Sequence, residues 1–304
     1  MFIEYLQDRY IKYFIFYINF EIKDEPKGSS RRSKIVKYNL YFKYIFRRNF
    51  SSLSLVNILK LTLGDEFNQP LNLSESSNSV RSPDRGLPKS LKKLTLEYFF
   101  NQHIINLPDS LRELDLGCCF NKPIILPKSL KVLILGKDFN KPLILPESLK
   151  VLTLGWKFNQ SINLPGSLKK LFLGHDFNQS ITLPQSLKKL TLGICFNQPL
   201  NLPQSLEELN LGWKFNQSID LPQSLRVLEF SACFNQPIDL PKLLKKLTLG
   251  ICFNRSITCS KGTCDMTSSS LILPQSLEKL YLHREQIYLF EPEPRDSLSL
   301  FLVK

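Results

Sequence analysis

Only two tryptophans, two methionines and three histidines occur among the 304 residues. The histidines, His103, His175 and His283, fall at different phases of the chain. No base, nucleophile and orienting acid recur together, and no Gly-rich phosphate loop is present, so the sequence points away from an enzyme and implies no cofactor. The most apolar stretch, residues 10 to 20, carries Lys12 and is shorter than the about 20 residues of a membrane-crossing helix, so no membrane span is expected. A secretion-signal pattern is missing as well: no basic start leads into an apolar run and a small-residue cleavage site. The seven cysteines are an odd number without the spacing of a disulfide framework, which fits a reducing, cytoplasmic setting. Cys259 and Cys264 lie in a loop without a second Cys or His pair, so no metal is expected there.

What the chain has instead is a beat. The dipeptide Phe-Asn occurs ten times, at Phe67, Phe100, Phe120, Phe139, Phe158, Phe177, Phe196, Phe215, Phe234 and Phe253, and from Phe120 onward the step is always 19 residues. Self-similarity at a short fixed period marks a unit that cannot bury its apolar face alone and is stabilised by stacking on its neighbours. Residues 186 to 203 show the unit, Ser-Leu-Lys-Lys-Leu-Thr-Leu-Gly-Ile-Cys-Phe-Asn-Gln-Pro-Leu-Asn-Leu-Pro. Leu190-Thr191-Leu192 alternates as a half-buried strand does, and Gly193 follows where the chain must turn. A period of 19 leaves no room for a helix of about 10 to 12 residues beside a strand and two turns, and Pro203 and its equivalents disfavour one further. The expected fold is a β-solenoid, a leucine-rich-repeat-like right-handed stack of about ten coils with a parallel sheet on the concave side and almost no helix on the convex side.

Identical residues then form columns. Phe120, Phe139, Phe158, Phe177, Phe196, Phe215 and Phe234 predict an aromatic spine, and Asn140, Asn159, Asn178, Asn197 and Asn216 predict an amide ladder that satisfies buried backbone groups. Cys119, Cys195, Cys233 and Cys252, each just before a spine Phe, match a buried small-residue slot.

These Phe-Asn-x-x-Ile/Leu units, flanked by Leu-Pro-x-Ser-Leu-Lys, resemble the FNIP repeats of social amoebae and of the giant viruses that infect them. The resemblance covers about residues 53 to 282 and implies a leucine-rich-repeat-like scaffold for protein interaction, with no catalytic residues and, for a viral member, a place in the host cytoplasm. Some relatives carry an F-box before the solenoid that recruits a ubiquitin ligase through a Skp1-type protein. Here only Tyr38 to Leu53 loosely resembles the stretch joining such a box to the repeats, so residues 1–50 are read as a basic, aromatic cap, a helical one, with a degenerate F-box as the alternative.

The solenoid is expected over residues 51–290, with a C-terminal cap or tail over 291–304. Two insertions of 14 residues, near 74–87 and 259–272, enter at the same phase and are rich in Ser, Thr and Gly, as surface loops are. The net charge of +13 divides into +6 over residues 1 to 50 (11 basic, 5 acidic) and +7 over the rest (29 basic, 22 acidic). Lys131, Lys150, Lys169, Lys188, Arg226 and Lys245 form a basic column broken by Glu207; contiguous and exposed, it would suit an anionic polymer. Acidic interruptions make nucleic acid the weaker reading.

Functional specificity must lie where the repeat leaves freedom. The central strand column includes Phe172, read as an exposed aromatic, and the column one residue past the Gly holds both tryptophans, Trp156 and Trp213, with His175 between them. Trp156, Phe172, His175 and Trp213, with Lys169 and Lys188 beside them, are the candidate surface for a protein partner, and a monomer is the expected state.

Overall fold

The computed structural model describes residues 16–22, 36–42, 58–64, 67–68, 87, 89–253, 257–259, 273–283 and 299–303. The interiors of both insertions and Cys264 lie outside the described residues. The chain divides into two compact units, Met1–Phe139 and Asn140–Lys304.

In the first unit, β1 (Phe16–Ile22) and β2 (Val36–Phe42) pair antiparallel, and β2 continues in parallel into β3 (Ile58–Leu63) with a register shift between Tyr38 and Asn39. The described part of residues 1–50 is therefore strand, which corrects the helical cap expected from the sequence. Residues 10 to 22 are dominated by Tyr, Ile and Phe, side chains that favour a pleated surface over a helix. Beyond β3 come β4 (Lys93–Leu96), β5 (Glu113–Asp115) and β6 (Val132–Ile134), all parallel and in register, so that Leu94, Leu114 and Leu133 are direct neighbours.

The second unit repeats this ladder. β7 (Val151–Thr153), β8 (Lys170–Phe172), β9 (Lys189–Thr191), β10 (Glu208–Asn210) and β11 (Val227–Glu229) pair in parallel, coil after coil. β12 (Ile238–Leu240) lies on another side of its coil and forms a separate two-stranded ladder with β14 (Ile257–Cys259). The main ladder continues through β13 (Lys246–Thr248), β15 (Lys279–His283) and β16 (Ser299–Val303). It thus runs past the last spine Phe, and the segment assigned to a C-terminal cap supplies a strand.

Each three-residue strand of the main ladder buries its central Leu and turns its two neighbours outward, the alternation read from Leu190-Thr191-Leu192, whereas β12 buries Ile238 and Leu240 around an exposed Asp239. Two tight turns replace any helix in the return path. The Leu187 N–H donates to the Pro184 carbonyl and the Phe196 N–H to the Gly193 carbonyl, and this pair of three-residue-offset bonds recurs around the stack. No helix occurs among the described residues.

All ten spine Phe are buried at 0–1% exposure. In the second unit their rings stack nearly parallel at centroid spacings of 6.1 to 6.3 Å, within the range of favourable aromatic contact. The following Asn forms the expected ladder, with one correction. Asn159, Asn178, Asn197, Asn216 and Asn235 each donate a backbone N–H to the Asn Oδ1 one coil earlier at 2.9 to 3.1 Å, but these side chains are half-buried or exposed. The reason is direction: Phe takes the inward position of the turn, so its neighbour must point toward the rim. The same Oδ1 also accepts from the Gln two residues past the next Phe, Gln160 to Asn140 and Gln179 to Asn159 for example. Replacing Asn178 by Ala removes both acceptor contacts, to Asn197 and Gln198, and is expected to lower the unfolding free energy by about 1–2 kcal/mol in denaturant titration. A second ladder serves the Leu-Pro-x-Ser turn, where the Ser186 hydroxyl donates to the Leu168 carbonyl and Ser205 to Leu187.

Candidate functional site

The column one residue past the glycine turns outward because the two residues before the spine Phe form the crest of a tight turn. Backbone bonds fix the crest of each coil on the last: Asp176 N–H donates to the Trp156 carbonyl, Cys195 N–H to His175, Lys214 N–H to Ile194, Cys233 N–H to Trp213 and Cys252 N–H to Ala232. Trp156, Ile194, Trp213 and Ile251 are 50, 41, 56 and 48% exposed, so the second unit carries a line of large apolar side chains along its turn crests. Soluble surfaces normally scatter such groups singly.

His175 sits between the two tryptophans in chain order and is stacked on Trp156, with ring centroids 5.0 Å apart and 29° between the planes. Its Nδ1 lies 2.5 Å from Asp176 Oδ1 and 3.9 Å from Cys195 Sγ. The sequence does not single out Asp176, and it marks Cys195 only as a member of the small-residue slot before the spine Phe. The readable signal was the offset of 20 that places the first crest residue of one coil beside the second crest residue of the next, which a search within single coils passes over.

The other candidates lie elsewhere on the coil. Phe172 is on the strand, half-buried and not the exposed aromatic expected, with Lys189 Nζ 6.0 Å from its ring centre. Lys169 and Lys188 precede the strand, at the opposite end from the crest. Lys188 faces Glu207 at 2.6 Å, Lys245 faces Glu278 at 2.7 Å, and the latter pair holds the Glu278 carboxyl below its ordinary range through the lysine hydrogen bond. Glu207 therefore does more than interrupt the basic column; it neutralises a member of it.

The cysteine slot also departs from expectation. Cys119, Cys195 and Cys233 are half-exposed and Cys252 is exposed, all with free thiols, because the inward place of the turn belongs to Phe. In the first unit, burial raises the Cys119 thiol above its usual range, and the neighbouring Cys118 raises the Tyr98 hydroxyl.

A parallel ladder of short strands closed by tight turns, with buried Leu and Phe columns and no helix in its return path, defines a leucine-rich-repeat-like β-solenoid. The chain belongs to the FNIP repeat family: the FNIP Repeat matches residues 84–119, 120–157, 139–176, 158–195, 177–212 and 196–233. Among solved structures it is similar to CroV588, a giant-virus protein described as a novel circular LRR protein, at 32% identity and a TM-score of 0.62 over 81% of this chain. The chain spans 43% of the length of that protein. YopM from Yersinia enterocolitica WA-314 aligns at 20% identity and a TM-score of 0.31, over 74% of this chain and 64% of YopM. Among curated proteins, none matches.

Proposed function

We propose that this protein is a non-enzymatic scaffold that binds a protein partner through the turn crests of its second unit, centred on Trp156, His175 and Trp213. The observation that carries the reading is the line of exposed Trp156, Ile194, Trp213 and Ile251, large apolar groups that the coil itself does not require. Their neighbours at the same phase include His175 and Ala232, so the fold tolerates small or polar residues there. Exposed tryptophan on a rigid backbone is what interface hot spots use, because a large contact area is gained for little loss of side-chain freedom. Phe172, Lys169 and Lys188 are proposed as outlying contacts. The reading takes the protein as a monomer in the cytoplasm, host cytoplasm for a viral source, in keeping with the free thiols of the described cysteines. No helix among the described residues is long and apolar enough to cross a membrane.

The test is affinity capture with the full chain and with the Trp156→Ala/Trp213→Ala double variant. Both side chains are half-exposed, so circular dichroism should be unchanged, whereas a partner held by two hot-spot tryptophans should lose about thirtyfold or more in affinity. An unchanged set of captured proteins would show that the crest is not the binding surface. A Skp1-type protein captured by both forms would favour the alternative, a substrate adaptor of a ubiquitin ligase working through residues 1–50.

A further inference from the structure

Three side chains of different chemistry converge on the crest between β8 and β10. His175 and Asp176 stand on one coil and Cys195 on the next, and one ligand atom from each lies within 4.8 Å of the other two. We propose that His175 Nδ1, Asp176 and Cys195 Sγ bind a divalent transition-metal cation of the zinc class, with a fourth position left toward solvent.

The arrangement rests on backbone geometry, since the Cys195 N–H donates to the His175 carbonyl at 2.9 Å and so fixes the two coils' crests against each other. The same bond joins Cys233 to Trp213 and Cys252 to Ala232, where the partner residue offers no ligand atom. The His175 ring is held on its other side by Trp156, 5.0 Å away, so its orientation is set before any ion arrives.

The geometry separates this site from a nucleophilic one. In a Cys-His-Asp relay the carboxylate and the thiol engage opposite ring nitrogens, so that one orients the ring while the other exchanges a proton. Here both face Nδ1, and a single nitrogen proton cannot serve both. A cation can: imidazole, thiolate and carboxylate are the donor set that zinc accepts, three protein ligands plus an open position being its usual state outside closed structural sites. Tetrahedral bonds of about 2.0 Å to nitrogen and about 2.3 Å to sulfur put those two atoms about 3.5 Å apart. Nδ1 and Sγ stand at 3.9 Å, so they need to close only slightly. The Asp176 Oδ1 must move outward from its 2.5 Å contact with Nδ1, by about 0.8 Å to reach tetrahedral spacing, and a half-exposed aspartate has room to rotate. The thiol and the imidazole must present unprotonated ligand atoms, so binding releases protons to solvent.

Cobalt titration of the full-length reduced protein tests this. Co(II) in a site with one thiolate gives thiolate-to-metal charge-transfer absorption and the visible bands of a four-coordinate complex, saturating at one equivalent, and zinc should bleach them. Cys195→Ser should abolish the charge-transfer band and His175→Gln should weaken binding about a hundredfold or more, whereas Cys233→Ser and Cys252→Ser, altered at the same phase of other coils, should leave the titration unchanged. Circular dichroism of each variant confirms the fold, which does not use these side chains in its ladder bonds. No stoichiometric charge-transfer band in the parent, or a band that survives Cys195→Ser, overturns the proposal.

Discussion

Phe177→Ala should lower the unfolding free energy by about 3–5 kcal/mol, read as a fall in the midpoint of urea denaturation. The ring is 0% exposed and stacks on Phe158 at 6.2 Å and on Phe196 at 6.1 Å, so truncation leaves a void flanked by two rings that are themselves fixed in a column. Neither can swing into the gap without leaving its own stacking partner, so the site relaxes poorly and the cost falls at the high end for a core truncation. In a stack where each coil touches only its neighbours, the loss weakens two interfaces at once, and the unfolding transition should broaden as cooperativity between the flanking coils drops. Trp156→Ala is the control. It removes a larger side chain, but one that is 50% exposed on the crest, and should shift the midpoint far less. Equal shifts for the two variants would mean that the Phe column is not what holds the coils together.

Gly193→Ala should cost about 3 kcal/mol, although it adds only one methyl group. A Cβ at this position would lie 1.8 Å from the Gly174 carbonyl oxygen and 2.8 Å from its carbon, backbone atoms of the preceding coil that cannot rotate aside. The turn glycines stack directly on one another: the same construction at Gly174 meets the Gly155 carbonyl oxygen at 1.8 Å. The strain is one of space, since neither Gly193 nor Gly174 has positive φ. Two other turns do use that freedom. Gly117 and Gly212, at φ 67° and 72°, follow Asp115 and Asn210, whose side-chain oxygens accept the glycine N–H two residues on. One coil carries Ser231 in the glycine slot, where it is fully buried and donates to the Phe215 carbonyl, with Phe230 replacing the usual Leu and tilting against Phe234 and Phe253. Alanine brings the bulk of that exception without its hydroxyl or its altered neighbour. Thermal unfolding of Gly193→Ala within about 1 °C of the parent would show that the coils slide apart easily, contrary to the close approach at this column.

The sequence was most informative where the period acts. Phe196, Leu187 and Leu190 could be assigned to the core, and Gly193 to the turn, because the same residue type at the same phase in coil after coil leaves one consistent arrangement. It was less informative about direction at single positions beside a turn. The sequence marks the Cys before the spine Phe as buried for its small size and the Asn after it as serving buried backbone groups, yet Cys252 and Asn159 are exposed. Period alone does not say which of three consecutive turn residues points inward; the two backbone bonds that close the turn do. Phe172 was misjudged for a related reason, since a strand neighbour, Lys189, covers part of a face that alternation marks as open. The aromatic N-terminal stretch had no repeat to constrain it, and its strands, Phe16–Ile22 and Val36–Phe42, were expected as helix.

Two kinds of determination can thus be told apart in this chain. The 19-residue recurrence of Phe-Asn and of Leu-x-Leu-Gly by itself set the architecture, because a unit too short for a helix and unable to bury its own apolar face must stack as extended coils. What the tertiary structure alone decided is which residues of different coils meet. The register of coil on coil, fixed by backbone bonds such as Cys195 N–H to the His175 carbonyl, brings a cysteine beside a histidine 20 positions earlier and sets Trp156 against that same ring. Cys195 and His175 share no phase in the repeat, and only the hydrogen-bonded offset between coils puts their side chains together, whereas Trp156 meets the same ring from the equivalent position of the preceding coil.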